Sequence, residues 1–248
     1  MKKTSLIALV LVAVMALSSC SIIEILIPTD YKEITNNIFT HYIEMNMTVK
    51  TTHMGASLKY ETQGSGVIYG EDSTYYYLLT NCHVVAKNSE YPLTSYTVID
   101  CYGKEYKATL LASDPYCDLA VLRFVKGGEK LCIVPLASSN PEIGTEVAIL
   151  STSNGLINSV TYGETIKYEP VELRDKEGNV DTTVSIPVIW HTAPMWGGGS
   201  GSVLLNMNME LVGINYAVAT DEDGRFIRGF AISVHHVRAF LEENNLIK

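Results

Sequence analysis

The chain has no apolar run longer than twelve residues. A bilayer-spanning helix needs about 20, so no segment is long enough to read as one. Basic residues are scarce: 18 Lys and Arg stand against 27 Asp and Glu, a formal net charge of −9. Phosphate backbones are bound through Lys and Arg, so a nucleic-acid partner is not expected. No C-x-x-C pair and no spaced Cys/His set is present, which leaves a zinc site without ligands. Repeats, low-complexity tracts and alternating strand–helix units are also missing. What is present is ordinary globular material: 248 residues, 47% hydrophobic and 18% charged, enough for one large domain or two small ones.

The twelve-residue apolar run, Leu6–Leu17, follows Lys2 and Lys3. A short positive region before a short apolar one reads as an export signal, removed after translocation. It ends in Leu17-Ser18-Ser19-Cys20, which resembles the lipobox of bacterial lipoproteins. That resemblance implies lipidation of the Cys20 sulfur, a new N-terminus there, and attachment to the extracytoplasmic side of a bacterial membrane. Loss of residues 1–19 would carry the formal charge from −9 to −11. Residues 20–37, apolar and then polar around Pro28, read as a tether. The other cysteines are Cys82, Cys101, Cys117 and Cys132. Four cysteines allow three full pairings outside the cytoplasm, but a core of this size needs no staples, and they read as small core residues.

From Met45 onward the apolar period is two, the mark of half-buried strands. Gly64–Tyr69, a turn at Gly70–Ser73 and Tyr75–Leu79 form an expected hairpin. Further short β-rich runs fall at 95–101, 106–111, 120–124, 131–135, 146–150, 159–168, 184–190, 202–205, 211–216 and 226–232. Turn chemistry at Asp175–Asn179 and Asp221–Gly224 marks hairpin tips. Strands this short and this frequent predict an all-β sandwich or barrel. The break at Val125–Lys130 divides the chain into two β units. Only the end is helical: Ser233 is the expected cap of a helix over about 234–244, with Val237, Phe240 and Leu241 on its buried face.

Four glycines in five positions surround a serine in Gly197-Gly198-Gly199-Ser200-Gly201. Glycine disfavours order by about 0.5–1 kcal/mol relative to alanine, so such a run serves a backbone that other residues cannot adopt. Acyl transfer uses one: N–H groups must converge on the oxyanion of a tetrahedral intermediate. Serine is a poor nucleophile without an adjacent base. His83 closes the apolar strand Tyr77–Thr80, rigidly backed and facing a cleft. His41, His53, His235 and His236 lack such a context. The base needs an orienting carboxylate, and Asp118 opens the apolar run Leu119–Leu122. Asp114, followed by Pro115, reads as a turn residue instead.

Taken together, Gly64-Ser65-Gly66-Val67-Ile68, Leu79-Thr80-Asn81-Cys82-His83-Val84-Val85, Asp114-Pro115-Tyr116-Cys117-Asp118-Leu119-Ala120 and Gly198-Gly199-Ser200-Gly201 resemble, in order, the HtrA/Deg branch of trypsin-like serine proteases. Ser159–Gly163, Leu211–Asn215 and Gly229–Ser233 extend the likeness over residues 60–245. It implies two six-stranded antiparallel β-barrels, about 38–125 and 131–232, with the active site between them and the helix after. It implies His83 as general base, Asp118 as its orienter, Ser200 as nucleophile, and the N–H groups of Gly198 and Ser200 as oxyanion hole. The implied reaction is peptide hydrolysis through an acyl-enzyme, with polypeptide substrates and no cofactor or metal. A binding lipoprotein that kept the scaffold without turnover is the alternative.

The sequence departs from that pattern in places. Gly199 stands where the family usually has asparagine. His191-Thr192-Ala193 replaces Thr-Asp-Ala. Ser200-Gly201-Ser202 resembles the glutamyl endopeptidases of the same clan, but their recognition histidine falls near Asn215, so a glutamate preference is not supported. The specificity pocket is expected from Pro194, Met195, Asn215 and Tyr216, which suits an uncharged, small to medium apolar side chain. No peptide-binding PDZ module is expected after the protease region.

Overall fold

The computed structural model describes residues 45–55, 58–87, 93–153, 156–172 and 184–248. The export signal, Cys20, the tether and the 175–179 tip lie outside them. Among the described residues, twelve strands precede one helix: β1 (Asn46–Met54), β2 (Lys59–Glu71), β3 (Tyr75–Thr80), β4 (Leu93–Ile99), β5 (Glu105–Asp114), β6 (Leu119–Val125), β7 (Glu146–Ser153), β8 (Leu156–Glu169), β9 (Val188–His191), β10 (Val203–Leu205), β11 (Leu211–Thr220), β12 (Phe226–Ser233) and α1 (Val234–Glu243). They form two closed barrels, ordered β1-β2-β3-β6-β5-β4 and β10-β11-β12-β9-β8-β7, every ladder antiparallel. Closure leaves no sheet edge to solvate.

The two-residue period of the strands builds this arrangement. In β3 and β6, Tyr76, Leu78, Ala120, Leu122 and Phe124 fill the first barrel with Met47, Val49 and Val98. The alternate residues Tyr77, Leu79, Leu119 and Val121 belong to a second cluster, continuous with Val147, Leu150, Val203 and Leu205 of the other barrel. One face of each strand therefore makes a barrel core, and the other makes the junction between barrels. β1 is buried on both faces for the same reason.

Two expected strands differ. Leu131–Pro135 is not a strand but part of the connector. Val134 N–H donates to Ile68 in the first barrel (2.8 Å), and Pro135 accepts from Leu211 in the second (2.8 Å), so its backbone is shared between sheets. The strand expected from Val184 starts at Val188, directly after Pro187, which has no N–H to give a ladder.

The helix buries Val234, Val237, Phe240 and Leu241, as its spacing predicts. Ser233 holds the N-cap position but makes no side-chain cap. Asn140 Oδ1 accepts the His235 N–H instead (3.1 Å), and Arg238 bonds the Leu136 and Ala137 carbonyls (both 2.9 Å). The chain end then returns to the first barrel, where Tyr69 donates to the Leu246 carbonyl (2.9 Å) and the Lys248 ammonium lies 4.3 Å from the Tyr77 ring centre.

Candidate active site

β3 stops at Thr80, and the next three residues turn across the start of β6. Asn81 Nδ2 and the Cys82 N–H both donate to the Asp118 carbonyl (2.9 and 3.2 Å). The Asp118 side chain answers with two bonds to one residue. Oδ1 accepts the His83 backbone N–H at 2.9 Å, and Oδ2 lies 2.7 Å from His83 Nδ1. Asp118 is 5% exposed, whereas the His83 side chain is 49% exposed. A buried carboxylate that accepts from Nδ1–H leaves the Nε2 lone pair on the open side of the ring. Asp118 ends the hairpin between β5 and β6 with φ +51°, a left-handed backbone that costs a non-glycine residue about 1–3 kcal/mol. Its three anchored groups hold it there. Asp114 plays the turn part read from Pro115: its Oδ1 accepts the Tyr116 N–H (2.8 Å) and its Oδ2 the Cys117 thiol (3.4 Å).

Cys82 and Cys117 are unbridged. Burial, with Asp114 nearby, pushes the Cys117 thiol up to about 12 and, with Asp118, raises that of Cys82. Neither is poised as a thiolate.

The glycine-rich loop enters from β9 and leaves into β10. It is tied at several points: Gly199 N–H to the Trp196 carbonyl (2.9 Å), Ser202 N–H to Gly199 (3.0 Å), Gly201 N–H to Asn215 (2.8 Å) and Asn215 N–H to Ser202 (2.9 Å). Gly198 and Gly201 have φ +90° and +83°, a conformation that side chains resist. At Gly201 space is also closed, since a Cβ would stand 2.1 Å from the Ser65 carbonyl oxygen and 2.4 Å from Thr80 Oγ1. The loop thus lies directly on the end of β3, three residues before His83. The place a Cβ on Gly64 would take touches both Val84 Cγ2 (2.7 Å) and the Ser200 carbonyl oxygen (3.0 Å). Ser200 Oγ donates to the Tyr216 carbonyl at 3.3 Å, so in this state its hydroxyl is turned to β11. Among the described residues, neither the Gly198 N–H nor the Ser200 N–H has a backbone acceptor.

The four expected pocket residues surround this loop in different ways. Pro194 is half-buried, and its carbonyl accepts from Thr161 (2.7 Å). Met195 is buried under the loop, in the space that a Cβ on Gly199 would need (2.3 Å to Cγ). The absent asparagine is thus matched by a methionine filling its place. Asn215 is fully buried, with its amide nitrogen on the Ser202 carbonyl and hydroxyl (3.2 and 3.1 Å). Tyr216 is buried and lends the carbonyl that holds Ser200.

Two neighbours of the site were not singled out from the sequence. His191 is fully buried, its ring lying across Gly229 of β12 where a Cβ would be 2.0 Å from Cε1; burial drives its imidazole down to about 4. Ser65 of β2, also fully buried, bonds the loop from the opposite barrel. The only signal for Ser65 was its place between two glycines, where backbones approach closely.

Two closed six-stranded antiparallel barrels followed by a helix define the fold of the trypsin-like serine proteases. The trypsin-like peptidase domain family matches residues 64–214, and the chain belongs to that family. It is 33% identical over 171 residues to the serine protease Do-like HtrA of Lactococcus lactis subsp. cremoris, covering 67% of this chain and 40% of that protein. The serine protease PepD of Mycobacterium tuberculosis is 33% identical over 196 residues (73% and 40%). The periplasmic pH-dependent serine endoprotease DegQ of Escherichia coli is 30% identical over 187 residues (74% and 37%). The chain thus spans about two fifths of the length of these relatives. In fold it is similar to the active form of the Rv3671c protease from M. tuberculosis, with a TM-score of 0.66, 21% identity and 87% of each chain covered.

Proposed function

We propose that this protein is a serine endopeptidase with Ser200 as nucleophile, His83 as general base and Asp118 as the group that orients the imidazole. One observation supports this reading above all. The Asp118 carboxylate grips both the ring and the backbone of His83, beside a serine loop whose Gly198 and Ser200 N–H groups have no backbone acceptor among the described residues. In the reaction, rotation about the Ser200 Cα–Cβ bond moves the hydroxyl from the Tyr216 carbonyl toward His83, a picosecond-to-nanosecond change for a side chain. His83 takes the proton as Oγ attacks the peptide carbonyl, and the Gly198 and Ser200 N–H groups receive the oxyanion. The imidazolium then protonates the leaving amine. Water, deprotonated by the same ring, releases the acyl group. The chemistry calls for no cofactor and no metal.

The substrate class is polypeptide, unfolded or extracytoplasmic, in keeping with relatives described as periplasmic endoproteases. Pro194, Met195, Asn215 and Tyr216 carry no formal charge, which suits an uncharged side chain before the scissile bond. The protein is exported and held on the extracytoplasmic side of a bacterial membrane through lipid on Cys20. Turned toward Tyr216, the Ser200 hydroxyl also fits the second reading, a protease-fold binding lipoprotein without turnover. Cleavage of a denatured protein library separates the two. Ser200→Ala and His83→Ala should each lower turnover by about six orders of magnitude. Absence of cleavage by the parent, or equal cleavage by the variants, would favour the binding reading.

A further inference from the structure

Ser65 belongs to the first barrel, yet most of its hydrogen bonding is directed at the second. Its N–H donates to the Ser200 carbonyl at 2.7 Å. Its hydroxyl donates to the Gly198 carbonyl at 2.8 Å and accepts the Thr152 N–H of β7 at 2.9 Å. Its carbonyl accepts from Thr80 Oγ1 at 2.8 Å, at the end of the strand that carries His83. Thr152 is itself held from β1: Asn46 Nδ2 donates to Thr152 Oγ1 (2.8 Å), and Thr48 Oγ1 shares a hydrogen bond with it (2.9 Å). A buried polar chain therefore runs from β1 through Thr152 and Ser65 to the glycine loop.

The pinned atoms matter for the chemistry. The carbonyls of Gly198 and Ser200 belong to the peptide units on either side of the one that carries the Ser200 N–H. Fixing both sets the direction of that N–H. Fixing the Gly198 carbonyl also limits rotation about the glycine that carries the other oxyanion donor. A run of glycines has little of its own to resist such rotation, so hydrogen bonds must hold it: the Gly199 N–H on the Trp196 carbonyl from within the loop, and Ser65 on the Gly198 carbonyl from the opposite barrel. We propose that Ser65 is the positioning residue of the oxyanion loop, its hydroxyl holding the Gly198 peptide so that the Gly198 and Ser200 N–H groups converge. This rests on the endopeptidase reading given above.

Ser65→Ala removes the hydroxyl and leaves the Gly198 carbonyl and the Thr152 N–H without that partner. A misdirected oxyanion donor costs up to about 100- to 1000-fold in kcat when lost outright, so a loosened one should cost roughly 10- to 100-fold, with KM within about twofold. The experiment uses the whole chain and counts active sites by fluorophosphonate titration, so that a smaller folded fraction is not read as slower chemistry. Tyr106→Phe, which removes a buried hydrogen bond to Asp100 (3.0 Å) outside this chain of bonds, controls for general loss of stability and should keep kcat per titrated site. A peptide boronate, whose tetrahedral adduct places an oxygen in the oxyanion hole, should bind Ser65→Ala at least tenfold more weakly, while a product peptide binds it as it binds the parent. Should the alanine variant fail to fold, Ser65→Cys, close in shape with a weak donor, is used in the same comparison. Parent-like kcat per titrated site, or equal weakening of boronate and product peptide, would overturn the proposal. A parent that the fluorophosphonate leaves unlabelled would overturn the endopeptidase reading itself, and this proposal with it.

Discussion

A side chain's chemical type can be read from sequence more readily than its surroundings. His83, Asp118 and Ser200 stood out because each sits at a strand end or in a glycine run, where a reactive group can be both held and exposed. His191 gave no such sign: it occupies a strand position that alternation alone would fill with any buried residue. Its strand partners Thr165 and Gly229 bring no charge to the ring, and burial lowers its titration point from 6.5 to about 4. The folded protein therefore keeps His191 neutral where the unfolded chain would already protonate it. Above pH 6.5 both states hold the neutral ring and nothing is lost. As pH falls from 6.5 toward 4 the unfolded state alone gains the proton, and stability drops by about 3 kcal/mol in all. Urea midpoints measured across that interval should fall more steeply for the parent than for His191→Gln. Parallel pH profiles would exclude His191 as the source.

At the scale of elements, the short β-rich runs marked all twelve strands of the described residues at least in part, and the 3.6-residue spacing marked α1. Elements failed to match where their hydrogen bonds go elsewhere. The 131–135 segment has strand-like composition but shares its backbone between two barrels. The cap of α1 illustrates the same limit: a serine stands at the right place, and the acceptor comes from Asn140 in the connector. Asn140→Ala should therefore cost about 1 kcal/mol, as losing a helix cap does, while Ser233→Ala stays within about 0.5 kcal/mol. Chemical denaturation of the two variants checks this; the reverse order would restore the cap to Ser233.

For the molecule as a whole, two barrels meet along a seam that is apolar in its larger part and polar near the glycine loop. Periodicity could count strands but not close them into barrels; closure came from the family likeness and is present in the structure. The polar seam was not legible, because Asn46, Thr48, Ser65 and Thr152 are ordinary strand residues until two distant stretches meet. The lipid anchor proposed at Cys20 bears on where the molecule works. Cys20→Ser should move the protein from the membrane fraction to the soluble one without changing its rate on peptides, and unchanged fractionation would refute the anchor. The central claim is that His83, oriented by Asp118, activates Ser200. Mass spectrometry of the protein after fluorophosphonate treatment tests this most directly. An adduct on Ser200 that forms readily in the parent and about a thousandfold more slowly in His83→Ala is the expected result, whereas a parent without the adduct, or one labelled no faster than His83→Ala, would contradict it.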